Sequence, residues 1–322
     1  MQQTRLYPML LEPVLHVKVW GGRRLETVMH KTLPTAEPYG ESWEMHDTVR
    51  VANGDLRDRT LGDLLSVYGA DLIGEVSDPN DGLPLLVKLI DATDWLSVQV
   101  HPDDEQARRL EGDPRGKTEA WYIIAAAPNS RLVIGVDPHA ARDEIADAVR
   151  ANRLEDLLVY ANVTPGDVLF VAAGTIHALG PGVLVYEIQQ SSDITYRFYD
   201  WGRMGLDGKP RPLHVDKALE VARLGKLPVI RFIGGERDEQ VNVVESPFFR
   251  TVLHQLRGEA VELDTGGRVF HALTCIHGEA RIISDGEAAL ALATGQTAFI
   301  PAAVGGYRLT GTAKVLRSYQ NA

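Results

Sequence analysis

The sequence predicts a mainly β protein that consists of two similar domains and a few helices. Short runs rich in β-branched and aromatic residues recur between Gly and Pro turn signals, as in EAWYIIAAA (119–127), RLVIGV (131–136), GVLVYEIQQ (182–190) and AKVLRSY (313–319). Such spacing is typical of an antiparallel sandwich or barrel. Helical patterns are fewer, and one strand–turn–strand pattern occurs twice.

Three segments have helical patterns. TLGDLLSVYGADLIG (60–74) places apolar residues at helical spacing after Thr60, a residue type that favours the first position of a helix. DDEQARRLEG (103–112) begins with acidic residues, ends with basic ones and closes on a glycine. ARDEIADAVRANRLEDLLVYAN (141–162) is the third helical region, with a break expected near Asn152.

A segment rich in Gly and Pro, residues 205–240, predicts a linker between the two domains. We place the boundary after residue 237, which gives a first domain of residues 1–237 and a second of residues 238–322.

An internal repeat supports this division. PGDVLFVAAGTIHAL (165–179) aligns with TGQTAFIPAAVGGYRL (294–309), so that Gly166 matches Gly295 and Phe170 matches Phe299. His177 then falls opposite Gly306, and only the first copy offers a ligand side chain. We therefore expect a second domain that lacks metal ligands.

Composition restricts the classes of function. The 322 residues are 44% hydrophobic and 24% charged, as in globular proteins, and the net charge of -11 argues against binding to nucleic acids or anionic membranes. The single cysteine, Cys275, allows no disulfide within the chain, and the N-terminal segment lacks the apolar core of a signal peptide. We expect a cytoplasmic protein.

The stretch LSVQVHPDD (96–104) predicts one wall of a metal site. Strand alternation puts Ser97, Gln99 and His101 on one face, and the same period places Lys117 and Glu119 of GKTEAWYII on a common face. His177 follows a turn at Gly174. Two imidazoles, a carboxylate and an amide oxygen suit Zn²⁺, with Fe, Co or Mn as alternatives.

Each of these four residues also has a simpler interpretation. A single histidine after a strand is commonly a hydrogen-bonded surface group, Glu119 alone is a solvated acid at a strand end, and Gln99 alone is a rim residue. The other eight histidines show no comparable partners, so we interpret them as structural or surface residues.

The segment EIQQSSDITYRFYDWGR (187–203) concentrates charges, with Asp193, Arg197, Asp200 and Arg203 in seventeen residues. One interpretation is an ion-paired edge strand, which spacing alone favours. The other is an active-site wall on which Arg197 supplies a fixed cation for an oxyanion or a phosphate.

Six motifs together resemble the type I phosphomannose isomerases, in particular the short bacterial form of this cupin family. They occur in family order across residues 20–203: WGG (20–22), GESWE (40–44), PLLVKLIDATDWLSVQVHPDD (84–104), GKTEAWYII (116–124), GTIHALG (174–180) and EIQQSSDITYRFYDWGR (187–203). The resemblance implies two cupin-like (jelly-roll) β-barrels with a small helical insertion.

The resemblance also implies a site. It assigns one Zn²⁺ per chain to Gln99, His101, Glu119 and His177, and it places phosphate contacts at Ser97 and Lys117. Arg197 matches the catalytic arginine of the family, and Asp193 matches an acid near it. The implied reaction interconverts mannose 6-phosphate and fructose 6-phosphate through an enediol, with Asp193, Lys117 or a metal-bound water as the general base.

Two rival functions are weaker. A non-catalytic sugar-phosphate-binding regulator on the same scaffold would lose Arg197, which is present here. A bicupin oxidoreductase that uses Fe and O₂ usually has a His-x-His pair, whereas this chain has Gln99-x-His101. The expected partner is a small sugar phosphate, and the expected assembly is a monomer or a weak homo-oligomer.

Overall fold

Strands dominate the architecture, as the sequence predicts. The structure is a computed structural model that describes residues 4–234 and 239–321. Within them, the strands β1 to β20 are, in chain order, Met9–Glu12, Val14–Gly22, Tyr39–Met45, Arg50–Val51, Leu85–Ala92, Val98–Val100, Glu119–Ala126, Arg131–Val136, Leu158–Asn162, Asp167–Val171, Val183–Gln190, Tyr196–Tyr199, Ile230–Phe232, Gln240–Glu245, Phe249–Arg257, Val261–Asp264, His271–Ser284, Leu290–Ala293, Thr297–Ile300 and Gly306–Gln320.

Two large antiparallel sheets organise these strands. The first has seven strands in the order β13-β10-β7-β11-β5-β3-β2. The second has nine, with β14-β15-β20-β17-β19-β1-β4 in line and β16 and β18 paired to β20 and β17. Two small sheets, β6 with β12 and β8 with β9, complete the set. The strand orders do not close into rings, so the predicted barrels are open sandwiches. The first sandwich is the seven-stranded sheet with the two small sheets packed on one face, and the second sandwich is formed by the nine-stranded sheet.

The helices are short and mostly lie where the sequence predicts them. The helices α1 to α6 are Arg24–Thr27, Leu61–Tyr68, Ala70–Ile73, Asp104–Glu111, Arg142–Arg150 and Val215–Val221. The region 60–74 forms α2 and α3, separated at Gly69. Helix α4 begins at a capping box between Asp103 and Gln106, which satisfies two backbone donors at its first turn.

Two expectations about these segments were wrong in part. The third helical region ends at Arg150, and Leu158–Asn162 is strand β9, because its β-branched and aromatic residues pair with β8. The predicted linker, 205–240, contains helix α6 and strand β13. The predicted boundary between residues 237 and 238 lies outside the described residues.

The two large sheets pack face to face through a shared hydrophobic core. All eight residues of β5 and all eight of β11 are buried, since both faces of these central strands are covered. Leu184, Tyr186 and Ile188 join the core shared with Phe249 and other residues of the nine-stranded sheet. The alternate residues of β11 point to the opposite face, toward the interior of the first sandwich.

Buried hydroxyl groups cross-link this interface. Tyr186 Oη lies 2.7 Å from Ser318 Oγ, which also lies 2.6 Å from Thr251 Oγ1. A second connection runs through Glu44, which accepts hydrogen bonds from Lys31, Ser42 and Thr297. Each buried polar group in these connections has a partner, so burial leaves little uncompensated desolvation cost.

The registers confirm the internal repeat. Phe170 of β10 lies opposite Ala120 of β7, and its repeat partner Phe299 of β19 lies opposite Ala272 of β17. Gly166 and Gly295 both have positive φ, 94° and 82°, where side chains are strained. The strand sets β10-β7-β11-β5 and β19-β17-β20-β15 are therefore copies of one design.

The described helices are far shorter than a bilayer is thick. Among the residues that the structure describes, no helix is long and apolar enough to cross a membrane.

We predict that Ser318→Ala destabilises the protein by about 1–3 kcal/mol, because it leaves the buried hydroxyls of Tyr186 and Thr251 without their shared partner. Urea denaturation followed by tryptophan fluorescence measures the change. Ser66→Ala, at an exposed helix position, is the control and should change stability by less than about 0.5 kcal/mol. Equal stabilities for the two variants would contradict the role of this network.

Candidate active site

Three predicted metal ligands meet inside the first sandwich. One ligand atom from each of His101, Glu119 and His177 lies within 4.8 Å of the others, and all three residues are buried. His177 Nε2 lies 3.2 Å from Glu119 Oε1, and His101 Nε2 lies 3.6 Å from Glu119 Oε2. Three segments far apart in sequence thus converge on one point.

Backbone pairing fixes this convergence. Gln99 and His177 exchange both backbone hydrogen bonds, each 3.0 Å long, and Gly174, in the turn before His177, donates to the carbonyl of His101. Glu119 is the first residue of β7, a strand of the seven-stranded sheet, which faces the Gln99–His177 pairing. The side chains therefore approach one another from two opposed walls of the sandwich.

Outer hydrogen bonds orient both imidazoles toward Glu119. The Nδ1 of His101 donates to the carbonyl of Ile194 at 2.8 Å, and the Nδ1 of His177 donates to the carbonyl of Thr175 at 2.9 Å. These bonds turn the Nε2 lone pairs of both rings toward the cluster, where Lys117 Nζ lies 3.2 Å from His101 Nε2, and such outer hydrogen bonds are usual for histidines that bind metals. Burial, with a smaller effect from Lys117, holds the pKa of His101 well below its usual value, so the ring is neutral.

The charge of Glu119 is the main electrostatic feature of the cluster. Burial opposes its ionisation, but Lys117 and the two histidines outweigh that cost and hold its pKa well below the usual value. Both carboxylate oxygens are buried and accept no hydrogen bond, although Lys117 Nζ lies 2.9 Å from Oε2. The lone pairs of two imidazole nitrogens thus face the two oxygens of one carboxylate, and such a set of converging acceptors fits a divalent cation.

Gln99 lies beside the cluster. Its amide nitrogen is 3.3 Å from His177 Nε2, and a half-turn of the amide exchanges nitrogen and oxygen at that position. Ser97 Oγ lies 3.4 Å from the amide oxygen of Gln99, so both residues share the face that strand alternation predicts.

A pocket of about 320 Å³ opens next to the cluster. Ser97, Gln99, Lys117, Asp193 and Arg197, all predicted from the sequence, line it. A larger cavity, of about 710 Å³, lies between the N-terminal strands and residues 294–296, away from the metal ligands. The smaller pocket is the candidate active site because every predicted site residue lines it or lies in the adjoining cluster.

Arg197 lines this pocket and keeps one donor without a protein partner. Its Nη1 donates to the carbonyl of Pro212 at 2.8 Å, while its Nε is buried and has no hydrogen-bond partner. The neighbouring Asp200 is neutralised by Arg203 and Arg211. The ion-paired interpretation of this segment therefore holds for Asp200, whereas Arg197 forms no ion pair within the described residues.

The sequence reasoning missed a second charged group in the pocket. Lys88 Nζ lies 3.2 Å from Glu187 Oε1, and Trp121 Nε1 donates to Glu187 Oε2 at 2.8 Å. Burial opposes the charge of Lys88, but Glu187 and Glu41 outweigh it and raise the pKa of the lysine. The sequence feature that could have revealed this pair is a single charged residue within each of two strand-forming stretches, LPLLVKLI and GVLVYEIQQ.

Glu41 and Lys18 form a related pair at the pocket wall, 3.2 Å apart. Burial of Glu41 opposes its charge, yet Lys88 and Lys18 lower its pKa to about 2. The carboxylate of Glu41 is therefore ionised at any physiological pH and is a poor proton acceptor.

Comparisons with known proteins identify the family of the chain. A model of the type I phosphomannose isomerase catalytic domain matches residues 9–126, and a model of the mannose-6-phosphate isomerase cupin domain matches residues 239–320. The mannose-6-phosphate isomerase of Streptococcus mutans is 32% identical over 98% of each chain. Mannose-6-phosphate isomerase ManA of Bacillus subtilis is 33% identical over 97% of this chain and 98% of its own.

The fold comparison is equally extensive. The crystal structure of the mannose 6-phosphate isomerase from Bacillus subtilis superposes with a TM-score of 0.86 at 31% identity, over 97% of this chain and 99% of that one. Sequence and fold thus lead to the same assignment: the chain belongs to the type I phosphomannose isomerase family of cupin enzymes.

Proposed function

We propose that this pocket interconverts mannose 6-phosphate and fructose 6-phosphate by moving a proton between C1 and C2 through an enediol. The observation that carries the proposal is the buried His101–Glu119–His177 cluster beside a pocket that Arg197 lines without a carboxylate partner among the described residues. The names of the relatives, which span nearly the whole chain, supply the substrate.

The charge of the pocket favours a phosphorylated substrate. Five cationic residues line it, against three acidic ones, although the whole chain carries a net charge of -11. The cationic residues are Lys18, Lys88, Lys117, Arg197 and Arg211. A locally positive pocket in an acidic protein attracts a small dianion and orients its phosphate. Ser97 and Lys117 are our candidates for the direct phosphate contacts.

We propose that one Zn²⁺ binds to His101, Glu119 and His177, with Gln99 as a fourth ligand. Neutral imidazoles with a carboxylate and an amide oxygen form a donor set that suits Zn²⁺. When bound, Zn²⁺ supplies a Lewis acid that polarises a substrate oxygen. Lys117, between Glu119 and the pocket, neutralises part of the same carboxylate charge.

Arg197 would stabilise the oxyanion that develops as the carbonyl becomes an enediol. Its buried Nε–H lacks a protein acceptor, and its other side is held by the carbonyl of Pro212. A donor fixed before the reaction stabilises new charge without reorganisation. The guanidinium also remains protonated throughout, so its role is electrostatic.

Asp193 is our candidate for the group that moves the proton. It lines the pocket on the same wall as Arg197 and forms no ion pair among the residues described. In the aldose-to-ketose direction it would take the proton from C2 and return it to C1, while one proton passes from O2 to O1. Lys117 is the second candidate for this transfer, since its amine also reaches the pocket.

The pair of Lys88 and Glu187 would keep the pocket wall fixed. Lys88 also lies 5.4 Å from the ring centre of Trp43, and Trp121 holds Glu187, so two aromatic walls are tied to one ion pair. A buried pair of this kind resists distortion because separation of either partner leaves an uncompensated charge.

We predict that the metal-loaded protein isomerises mannose 6-phosphate in an assay coupled to fructose 6-phosphate consumption. Treatment with a chelator should abolish at least about 99% of the rate, and Zn²⁺ should restore it, because the carboxylate and imidazoles lose the cation that organises the site. Mg²⁺ at equal concentration is the control and should restore little. No activity in the zinc-loaded protein would rule out the isomerase proposal.

We predict that Arg197→Ala lowers kcat about 10²- to 10³-fold, since it removes a fixed donor to the developing oxyanion. Arg150→Ala, at an exposed helix end, is the matched control and should leave kcat unchanged. Circular dichroism and zinc content should match those of the unsubstituted protein. A normal kcat in a folded, zinc-loaded Arg197→Ala protein would contradict the proposed role.

A further inference from the structure

The repeat places a second set of polar residues where the first sandwich has its metal site. Because Ala272 corresponds to Ala120, His271 corresponds to Glu119. Glu187 lies opposite Trp121, and Arg317 lies opposite Leu273, which makes Arg317 the counterpart of Glu187. Two acids of the first sandwich are thus replaced by an imidazole and a guanidinium.

His254 completes this group. It lies opposite Val315, just as Ile90 lies opposite Val185, so an imidazole replaces an aliphatic side chain. Val252 likewise replaces Lys88, since Val252 lies opposite Arg317 and Lys88 lies opposite Glu187. The second site therefore has the position of the first and the opposite balance of charge.

Contacts join His271 and Arg317 through two tyrosines, and strand register places His254 on the adjoining strand β15. His271 Nδ1 lies 2.8 Å from Tyr307 Oη, and the Arg317 guanidinium carbon lies 4.8 Å from the ring centre of Tyr319. Arg317 also lowers the pKa of both His254 and His271, in each case after burial as the larger cause. The cluster lies at the edge of the apolar core of the second sandwich.

Polar atoms in this cluster lack partners. His254 is fully buried, and neither of its ring nitrogens has a hydrogen bond. The Nε of Arg317 is also buried without a partner, and Arg317 forms no ion pair with any carboxylate in residues 4–234 and 239–321. Arg317 hydrogen-bonds Tyr307, so the atoms left without partners are the two ring nitrogens of His254 and the Nε of Arg317. Buried polar atoms without partners are costly unless a ligand completes them.

We propose that the second sandwich binds a phosphate group between Arg317, His254 and His271. Arginine forms charge-assisted bonds with phosphate oxygens. A neutral imidazole has one N–H donor and one bare nitrogen, and a hydrogenphosphate offers both acceptor oxygens and an O–H donor. A carboxylate offers acceptors alone and would leave the bare nitrogen unsatisfied. Arg317 and Tyr319 are half-buried, which gives the ligand a route from solvent.

The test is a calorimetric titration of the zinc-loaded protein with inorganic phosphate in phosphate-free buffer. We expect two phosphates per chain, one in the active site and one at Arg317. Arg317→Met should weaken the second event about tenfold or more, whereas Lys117→Met should weaken the other. Arg308→Met, an exposed position on the same strand, is the control and should retain both events.

Glycerol 2-phosphate and acetate distinguish the ligand classes. Binding of glycerol 2-phosphate at the Arg317 site identifies a phosphomonoester ligand, and binding of inorganic phosphate alone identifies free phosphate. Acetate that binds there as tightly as phosphate overturns the proposal, as does an Arg317→Met protein that titrates like the unsubstituted one.

A structural measurement keeps the proposal testable if Arg317→Met fails to fold. Crystals of the unsubstituted protein soaked in arsenate, a phosphate analogue, should show anomalous density in contact with Arg317 and His254. Absence of density there, with density present in the active site, overturns the proposal. The isomerase rate of folded Arg317→Met should stay within about twofold, since Arg317 lies outside the catalytic pocket.

Discussion

The buried carboxylate of Glu119 is the constraint on which the site depends. An unpaired ionised acid in the protein interior would cost several kcal/mol, and Glu119 is ionised chiefly because the charge of Lys117 lies against it. The rest of the sandwich holds these partners in place. Carbonyls orient the imidazoles, the Gln99–His177 pairing closes the wall, and the central sheet keeps water away.

This arrangement needs a sheet that is buried on both faces. Strands β7 and β11 present Glu119 and Glu187 to the pocket and Ala120, Tyr122 and Tyr186 to the second sandwich. The second sandwich therefore excludes water from the back of the catalytic sheet, which makes the electrostatic interactions on the front stronger. Its own polar cluster has a histidine and an arginine at the positions that Glu119 and Glu187 occupy in the first sandwich.

The sequence alone predicted the strand-rich class, the repeat and the residues of the metal cluster. Strand alternation is a local property, so the order of residues within each strand is enough to assign Gln99, His101, Lys117 and Glu119 to their faces. The partners of Lys88 and Glu187 could not be found, because their pairing depends on the β5–β11 register between distant segments. The strand at 158–162 was mistaken for helix because only its pairing with β8 decides its conformation.

The central claim is that a divalent cation balances the charge of Glu119. The most direct measurement is anomalous X-ray scattering at the zinc edge from crystals of zinc-loaded protein. The account predicts one strong peak per chain among His101 Nε2, His177 Nε2 and the carboxylate of Glu119. No peak at that position, or a zinc ion bound elsewhere with Lys117 still paired to Glu119, would contradict it.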